Sequence, residues 1–383
     1  MFIYIEPCAT YAEDEISVHI HRILSGYFQD PSVLVGKRVF LKVNGLTKAS
    51  PEQAMTTHPS IVYHVADWLV KNGCHVTIGD NPAGEHEDSW LRAVYRTTGF
   101  AEAADRSGAE LTFDRTPVTK AANGELCTEF QVCRMAAEAD YVIDIAKCKT
   151  HEYTRYTGCV KNFYGTLPAA ERSALHARYK DIDEFSDMLV DLCECIAPTL
   201  SILDAVVGME GSGPSAGEPR SIGVLIASDN PHDADYVGAR IIGMQVEEVK
   251  TLENASRRGL LRACGDPRVE EKIALLCVKN FKMPQNAANA LSNRLPKPIY
   301  KFLRKRMKRY PRFRKDRCIS CGICVKNCPQ KALTMNGKPV FCKEKCICCY
   351  CCQEMCPQGA VDLHETLTSK ALTAARKLYK RFR

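Results

Sequence analysis

Along roughly the first 290 residues, short apolar runs rich in β-branched residues alternate with stretches whose apolar positions recur every three or four residues. The run Lys37-Arg38-Val39-Phe40-Leu41-Lys42-Val43 predicts a strand ending at Asn44-Gly45. Ile61, Val62, Val65 and Leu69 share one helical face, so a helix is expected from Pro59 to Lys71, stopped by Asn72-Gly73. Strands over 74–79, 109–113 and 141–146 and a helix over 89–99 follow. Residues 183–196 have helical spacing and stop before Pro198. The runs 200–207 and 222–227 are of the kind a sheet buries on both faces, and helices are expected near 232–243 and 246–258. This alternation predicts an α/β fold, a parallel or mixed sheet with flanking helices, over residues 1–293.

The pattern then breaks. Pro296, Pro298 and Pro311 bracket a segment in which Ile299, Phe302, Leu303, Met307 and Tyr310 fall on one helical face. Residues 294–317 are therefore expected to be a basic linker helix. A second basic amphipathic helix is expected over 367–383, with Leu372, Ala375, Tyr379 and Phe382 aligned. Residues 318–366 form a small module between them, with its own composition.

That composition is dominated by cysteine. Of 21 cysteines, eleven fall between Cys318 and Cys356. A secreted disulfide scaffold is short and evenly rich in cysteine; a long chain with its thiols gathered at one end reads instead as a metal protein of a reducing compartment. The first residues lack a charged stretch followed by an apolar one, and no apolar run approaches the ~20 residues of a membrane span, so a cytoplasmic location is expected.

The spacing is specific. Cys318-x2-Cys321-x2-Cys324-x3-Cys328-Pro329 is repeated as Cys346-x2-Cys349-x2-Cys352-x3-Cys356-Pro357. In such runs three thiolates wrap one cluster, and the fourth starts a helix that reaches the other. The predicted ligands are Cys318, Cys321, Cys324 and Cys356 for one 4Fe–4S cluster, and Cys346, Cys349, Cys352 and Cys328 for the second. Paired CxxC units also hold zinc, but two complete copies of this spacing favour clusters. The stretch resembles bacterial two-cluster ferredoxins, which implies a small α+β ferredoxin-like domain. Cys342, Cys348 and Cys351 are left over and are expected to pack beside the clusters.

Charge is divided as sharply. Residues 1–293 carry a net −11, whereas residues 294–317 hold twelve basic residues and one acid. An acidic body and anionic clusters make internal docking or an acidic partner the first reading of these cations. Peripheral contact with an anionic membrane ranks second, and nucleic acid third because no nucleic-acid-binding motif accompanies them.

In the large domain the chemistry gathers at Lys147-Cys148-Lys149-Thr150-His151, followed by Thr157-Gly158-Cys159-Val160-Lys161-Asn162-Phe163-Tyr164-Gly165. The first motif sits at the end of a predicted strand, where open α/β sheets place ligands. Ammonium groups this close repel one another unless an anion binds, so Lys149, His151 and Lys161 are candidate catalytic residues, with Lys147 and Asn162 beside them. Gly211 and Gly213, in the run Glu210-Gly211-Ser212-Gly213-Pro214, are candidates for a phosphate-cradling loop, although neither GxxxxGK[ST] nor GxGxxG occurs there. Asp80, Asp204, Glu210 and Asp235 lie at predicted strand ends or just past them and are candidates to hold a hard cation.

These motifs, with Lys42-Val43-Asn44, Thr57-His58-Pro59, Gly79-Asp80-Asn81-Pro82-Ala83-Gly84, Asp204–Pro214 and Asp233-Ala234-Asp235, resemble domain-of-unknown-function family 362, which is often fused to a two-cluster ferredoxin. The resemblance implies an architecture and a site, but no reaction. The reading is an iron–sulfur oxidoreductase of the kind that suits an anaerobe. It exchanges electrons with a redox partner protein and with a small anionic substrate or nucleotide-like cofactor on the α/β domain. Two alternatives stand beside it. One is an accessory ferredoxin that docks on and reduces a client enzyme. The other rests on a more distant similarity to nickel-dependent lactate racemases and implies a nucleotide-derived metal cofactor.

Overall fold

The computed structural model describes residues 1–82, 87–284 and 308–364. Ala83 and Gly84, residues 294–307 of the expected linker helix and the expected helix at 367–383 lie outside the described residues.

Eight strands form one mixed sheet: β1 (Ile3–Pro7), β2 (Arg38–Val43), β3 (His75–Gly79), β4 (Glu110–Leu111), β7 (Tyr141–His151), β8 (Arg155–Thr157), β9 (Leu200–Glu210) and β10 (Glu218–Ser228). The order is β1-β10-β9-β7-β2-β3-β4, with β8 paired to β7; a separate hairpin joins β5 (Pro117–Ala121) and β6 (Glu129–Cys133). The ladders linking β9, β7, β2, β3 and β4 are parallel, while β10 runs antiparallel to both β9 and β1. The C-terminal ends of β2, β3 and β7 therefore open on one edge of the sheet, which fixes where the functional side chains meet.

The helix Pro59–Lys71 forms where the apolar stripe required it, with Pro59 in its first turn and the His58 ring accepting from the Ser60 amide. Its buried Ile61, Val62, Val65 and Leu69 pack with Ile20, Ile23 and Leu24 of the helix Glu13–Tyr27 over one face of the sheet. The other face is covered by the helices Ile182–Ile196 and Pro231–Ile241.

The cysteine-rich module pairs β11 (Tyr310–Phe313) with β14 (Val361–His364), and β12 (Leu333–Asn336) with β13 (Lys338–Phe341). Tyr310, expected on a helical face, opens a strand instead, because Pro311, Arg312 and Phe313 extend alongside Leu363, Asp362 and Val361. The module is internally repeated. Ser320 and Gly322 adopt positive φ in the first cysteine loop, as Cys348 and Tyr350 do in the second, so each loop curls back on itself. Cys348, Tyr350 and Leu363 share a core cluster with Phe163, Tyr164 and Phe185, so apolar packing is continuous between module and α/β domain. A buried ion pair, Arg309 to Glu152 at 2.8 Å, fastens the same junction.

Candidate functional site

Past the ends of β2, β3 and β7 lies a buried polar network. Lys42 pairs with Asp80 at 2.8 Å and donates to Asn162 Oδ1 at 3.1 Å. Asn44 Nδ2 donates to the same oxygen at 3.0 Å, while Asn44 Oδ1 accepts from Lys149 Nζ at 2.5 Å. Asn162 Nδ2 donates to Asp144 Oδ1 at 2.7 Å, and burial pushes the Asp144 carboxyl up to about 8. Gly165 makes this packing feasible: a Cβ there would fall 2.2 Å from Asp80 Oδ1. Gly158 serves a similar purpose, since a Cβ would meet Asp235 Oδ1 at 2.1 Å. The glycines of this motif thus admit the protein's own carboxylates.

The network forms the wall of a cleft of about 880 Å³ between the α/β domain and the cysteine-rich module. Lys149, Lys161, Arg172 and His176 line it from one side; Pro329, Cys351, Glu354 and Met355 line it from the other. Burial, then the neighbouring Lys161 and Lys147, lowers Lys149 to about 7. Burial lowers Lys161 and Arg172 as well, and neither makes an ion pair among the described residues. Burial brings His176 down to about 3, so its ring, stacked on Phe185 at 4.4 Å, is neutral. Although burial works to raise Glu354, chiefly His151 and then Lys161 hold it down at about 2. Of the two carboxylates in the lining, Asp80 is paired with Lys42, so Glu354 is left facing Lys149, Lys161 and Arg172, and the cleft suits an anion.

Not every predicted residue reaches this cleft. Lys147 is drawn to Asp204, 2.8 Å away, and to the Tyr11 hydroxyl, so its charge is already neutralised. His151 lies behind the wall, its Nε2 2.9 Å from Glu354 Oε1, while its Nδ1 accepts from the amides of Tyr153 and Thr154. It joins the two domains and does not line the cleft. Gly211 and Gly213 are not among the residues lining the cleft: the Gly211 amide donates to Lys282 O, and Gly213 packs where a Cβ would strike Thr150 O at 2.1 Å. The four carboxylates proposed for a cation are dispersed. Asp80 is bound to Lys42, Asp204 to Lys147, Glu210 to the Lys282 amide, and Asp235 to the amides of Cys159 and Val160.

Sequence reasoning missed Arg172, His176, Asn44 and Glu354 as cleft residues. Arg172 and His176 are spaced i, i+4 on the helix Ala169–Arg178, the one local signal that they share a face.

In the module, Cys318, Cys321, Cys324 and Cys356 surround one cavity of about 360 Å³. Cys328, Cys346, Cys349 and Cys352 surround another of about 410 Å³, with Cys348 and Cys351 beside them. The amides of Ala332 and Ala360 donate to Cys328 Sγ and Cys356 Sγ, each at 3.2 Å. Four thiols to a cage, with amides directed at sulfur, fit the ligand requirement of a 4Fe–4S cluster. The second cage and the cleft share two walls, Pro329 and Cys351.

Fold and site together define an α/β domain joined to a 4Fe–4S-binding module. A family model described as a domain of unknown function, DUF362, matches residues 39–240, and a 4Fe–4S binding domain matches residues 311–334. The chain belongs to the DUF362 family. A thylakoid-associated protein of Synechocystis is 31% identical over 261 residues, covering 65% of this chain and 77% of that protein. Among solved structures, the lactate racemase apoprotein of Thermoanaerobacterium thermosaccharolyticum aligns with a TM-score of 0.41 at 11% identity, over 62% of this chain and 56% of that one. A Thermotoga maritima protein aligns with a TM-score of 0.32 at 13% identity, over 56% and 55%. The chain spans little more than half of either of these two structures. No helix among the described residues is long and apolar enough to cross a membrane.

Proposed function

We propose that this chain is an iron–sulfur electron-transfer protein that exchanges electrons between a redox partner protein and a small anionic substrate or cofactor held in the cleft. Its module, over residues 318–366, would hold one cluster on Cys318, Cys321, Cys324 and Cys356 and another on Cys346, Cys349, Cys352 and Cys328. Bound there, such clusters supply one-electron transfer at low potential. The observation that carries the reading is the pair of shared walls: among the described residues, Pro329 and Cys351 line both the second cysteine cage and the cleft.

The α/β domain binds and orients the anion. Lys149, Lys161 and Arg172 attract it, and Asn44 fixes the Lys149 ammonium through a chain of amides reaching Asn162 and Asp144. Because Lys149 titrates near neutrality, its Nζ is suited to giving a proton to a ligand that gains charge on reduction. Leu46, Pro82, Tyr164 and Met355 are apolar or aromatic members of the lining around it. Twenty-one cysteines, none in a disulfide, agree with a reducing cytoplasm.

The test is anaerobic reconstitution of the full chain, with iron analysis and sulfate titration by calorimetry. About eight irons per chain, and sulfate binding lost in the double variant Lys149→Met, Lys161→Met with iron intact, support the reading. A chain that retains no iron, or a double variant that binds sulfate like the parent, refutes it.

A further inference from the structure

Electrons need an entrance as well as a destination, and the outer face of the second cysteine cage has the features of one. A groove of about 1110 Å³ opens there to solvent. Its floor includes Gln330, Cys346 and Ile347, which also line the cage. Around the rim stand Lys180 from the α/β domain, Lys308 from the connecting segment, and Lys331 and Lys345 from the module. Glu344 is the one acid lining it among the described residues, and it accepts from the Cys342 thiol at 3.3 Å. None of the four lysines makes an ion pair among the described residues, although ion pairs are abundant over the rest of the surface. Four cations from three separate stretches of chain thus converge on one opening that holds, among the described residues, a single acid.

We propose that this groove docks an acidic one-electron carrier protein, a flavodoxin or an acidic ferredoxin, and passes electrons through the cage wall at Cys346. The inference rests on the electron-transfer reading above and adds to it the partner's chemistry and the place where it binds. On this geometry the cage lies between two openings: the basic groove shares Gln330, Cys346 and Ile347 with it, and the anion cleft shares Pro329 and Cys351. Each reduced carrier gives up one electron and leaves oxidised by one, and the module gains that electron; no bond is made or broken. Opposite charge steers such an encounter, accelerates association by about 10- to 1000-fold at low salt, and weakens as ionic strength rises.

The test uses the full chain, reconstituted without oxygen, and the triple variant Lys180→Glu, Lys331→Glu, Lys345→Glu. Stopped-flow bleaching of the cluster absorbance is followed with chemically reduced flavodoxin, and separately with dithionite alone. The expected result is a second-order rate with flavodoxin that falls steeply with added salt and drops at least about tenfold in the variant. Dithionite, which needs no protein docking surface, should reduce the clusters of both proteins to the same final extent. If the flavodoxin rate is the same in parent and variant, or independent of salt, while dithionite reduction is normal, the groove assignment fails and the electron-transfer reading stands. If the variant loses binding to vesicles containing phosphatidylglycerol but keeps the flavodoxin rate, the lysines serve a membrane surface and the assignment fails as well. A parent chain that holds no iron overturns the underlying reading and the groove with it.

Discussion

Replacing Lys147 and Lys149 separately by methionine asks whether two lysines on one strand, two residues apart, have unrelated roles. Methionine keeps the apolar stem and removes the charge. Lys147 is fully buried against Asp204 at 2.8 Å and the Tyr11 hydroxyl at 2.8 Å. Its removal leaves Asp204 charged in the interior with only the Tyr11 hydroxyl and the amides of His58 and Val206. Breaking a buried pair this way costs about 3–5 kcal/mol, a large part of a domain's stability. Lys149 is equally buried but has no carboxylate partner among the described residues, and its depression from 10.5 to about 7 marks an unfavourable burial on the order of 5 kcal/mol. The methionine relieves that cost, while stranding Asn44 Oδ1 and Met55 O at about 1–3 kcal/mol each. The two effects offset, so K149M should lie within about 2 kcal/mol of the parent. Its sulfate affinity should instead fall about 10- to 100-fold, the worth of one charged hydrogen bond. Denaturation in urea, followed by the fluorescence of Trp68 and Trp90, reads the first quantity, and calorimetry with sulfate at pH 6.5 the second. A K147M protein as stable as the parent, or a K149M protein that binds sulfate undiminished, would show that the division of labour is wrong.

Other consequences are as concrete. An anion favours charged Lys149, so sulfate should bind most tightly below pH 7 and up to about tenfold more weakly with each pH unit above it; calorimetry from pH 5.5 to 8.5 giving a flat affinity would exclude Lys149 as the anion's partner. In the ligand-free protein the sign is opposite: the unfolded chain keeps this proton up to 10.5, so Lys149's contribution to stability improves as pH rises from about 7 toward that value. Gly165→Ala would drive a methyl onto Asp80 Oδ1 and close to Lys42 Nζ; a loss of about 1–3 kcal/mol, with weakened sulfate binding, is expected from the same two assays. Arg309→Met removes the buried partner of Glu152 and the donor to Leu363 O. The module should then dock loosely, with faster cleavage near residue 308 in limited proteolysis of the reconstituted chain; an unchanged digestion pattern would count against that junction.

The parallel strands and their helices were legible because each is bounded locally. Pro59 and the Asn72-Gly73 pair mark the two ends of a helix whose buried stripe lies in the sequence itself. The short strand β1 was not, since its partner is more than two hundred residues away. The hairpin β5–β6 escaped notice because β5 alternates exposed and half-buried positions and β6, although it buries Phe130 and Val132, is only five residues long. The cysteine cages could be read from spacing, since each loop brings three of its four thiols together within seven residues. The cleft could not. Asn44, Lys149, Arg172 and Glu354 come from four distant parts of the chain, and only the three-dimensional junction of domain and module makes them neighbours.

Strand β7 shows most clearly why proximity in sequence misled. Lys147, Lys149 and His151 alternate along it and would share one face of a regular strand. Its ladder with β9 is irregular at this point. Between the pairs Lys147–Asp204 and Lys149–Met209, β7 advances by two residues and β9 by five. The longer path of β9 leaves Asp204 opposite Lys147, where it neutralises that ammonium, and has moved past by the time β7 reaches Lys149. Lys149 is met by Asn44 and the Met55 carbonyl, which orient a charge without cancelling it. Two residues further on, at the end of β7 where it pairs with Arg155 of β8, His151 faces Glu354 of the module. One bulge thus divides three neighbouring basic residues into an internal ion pair, a cleft-lining cation and a domain contact. An anion site built from all three at once would need a regular ladder, and the sheet does not have one there.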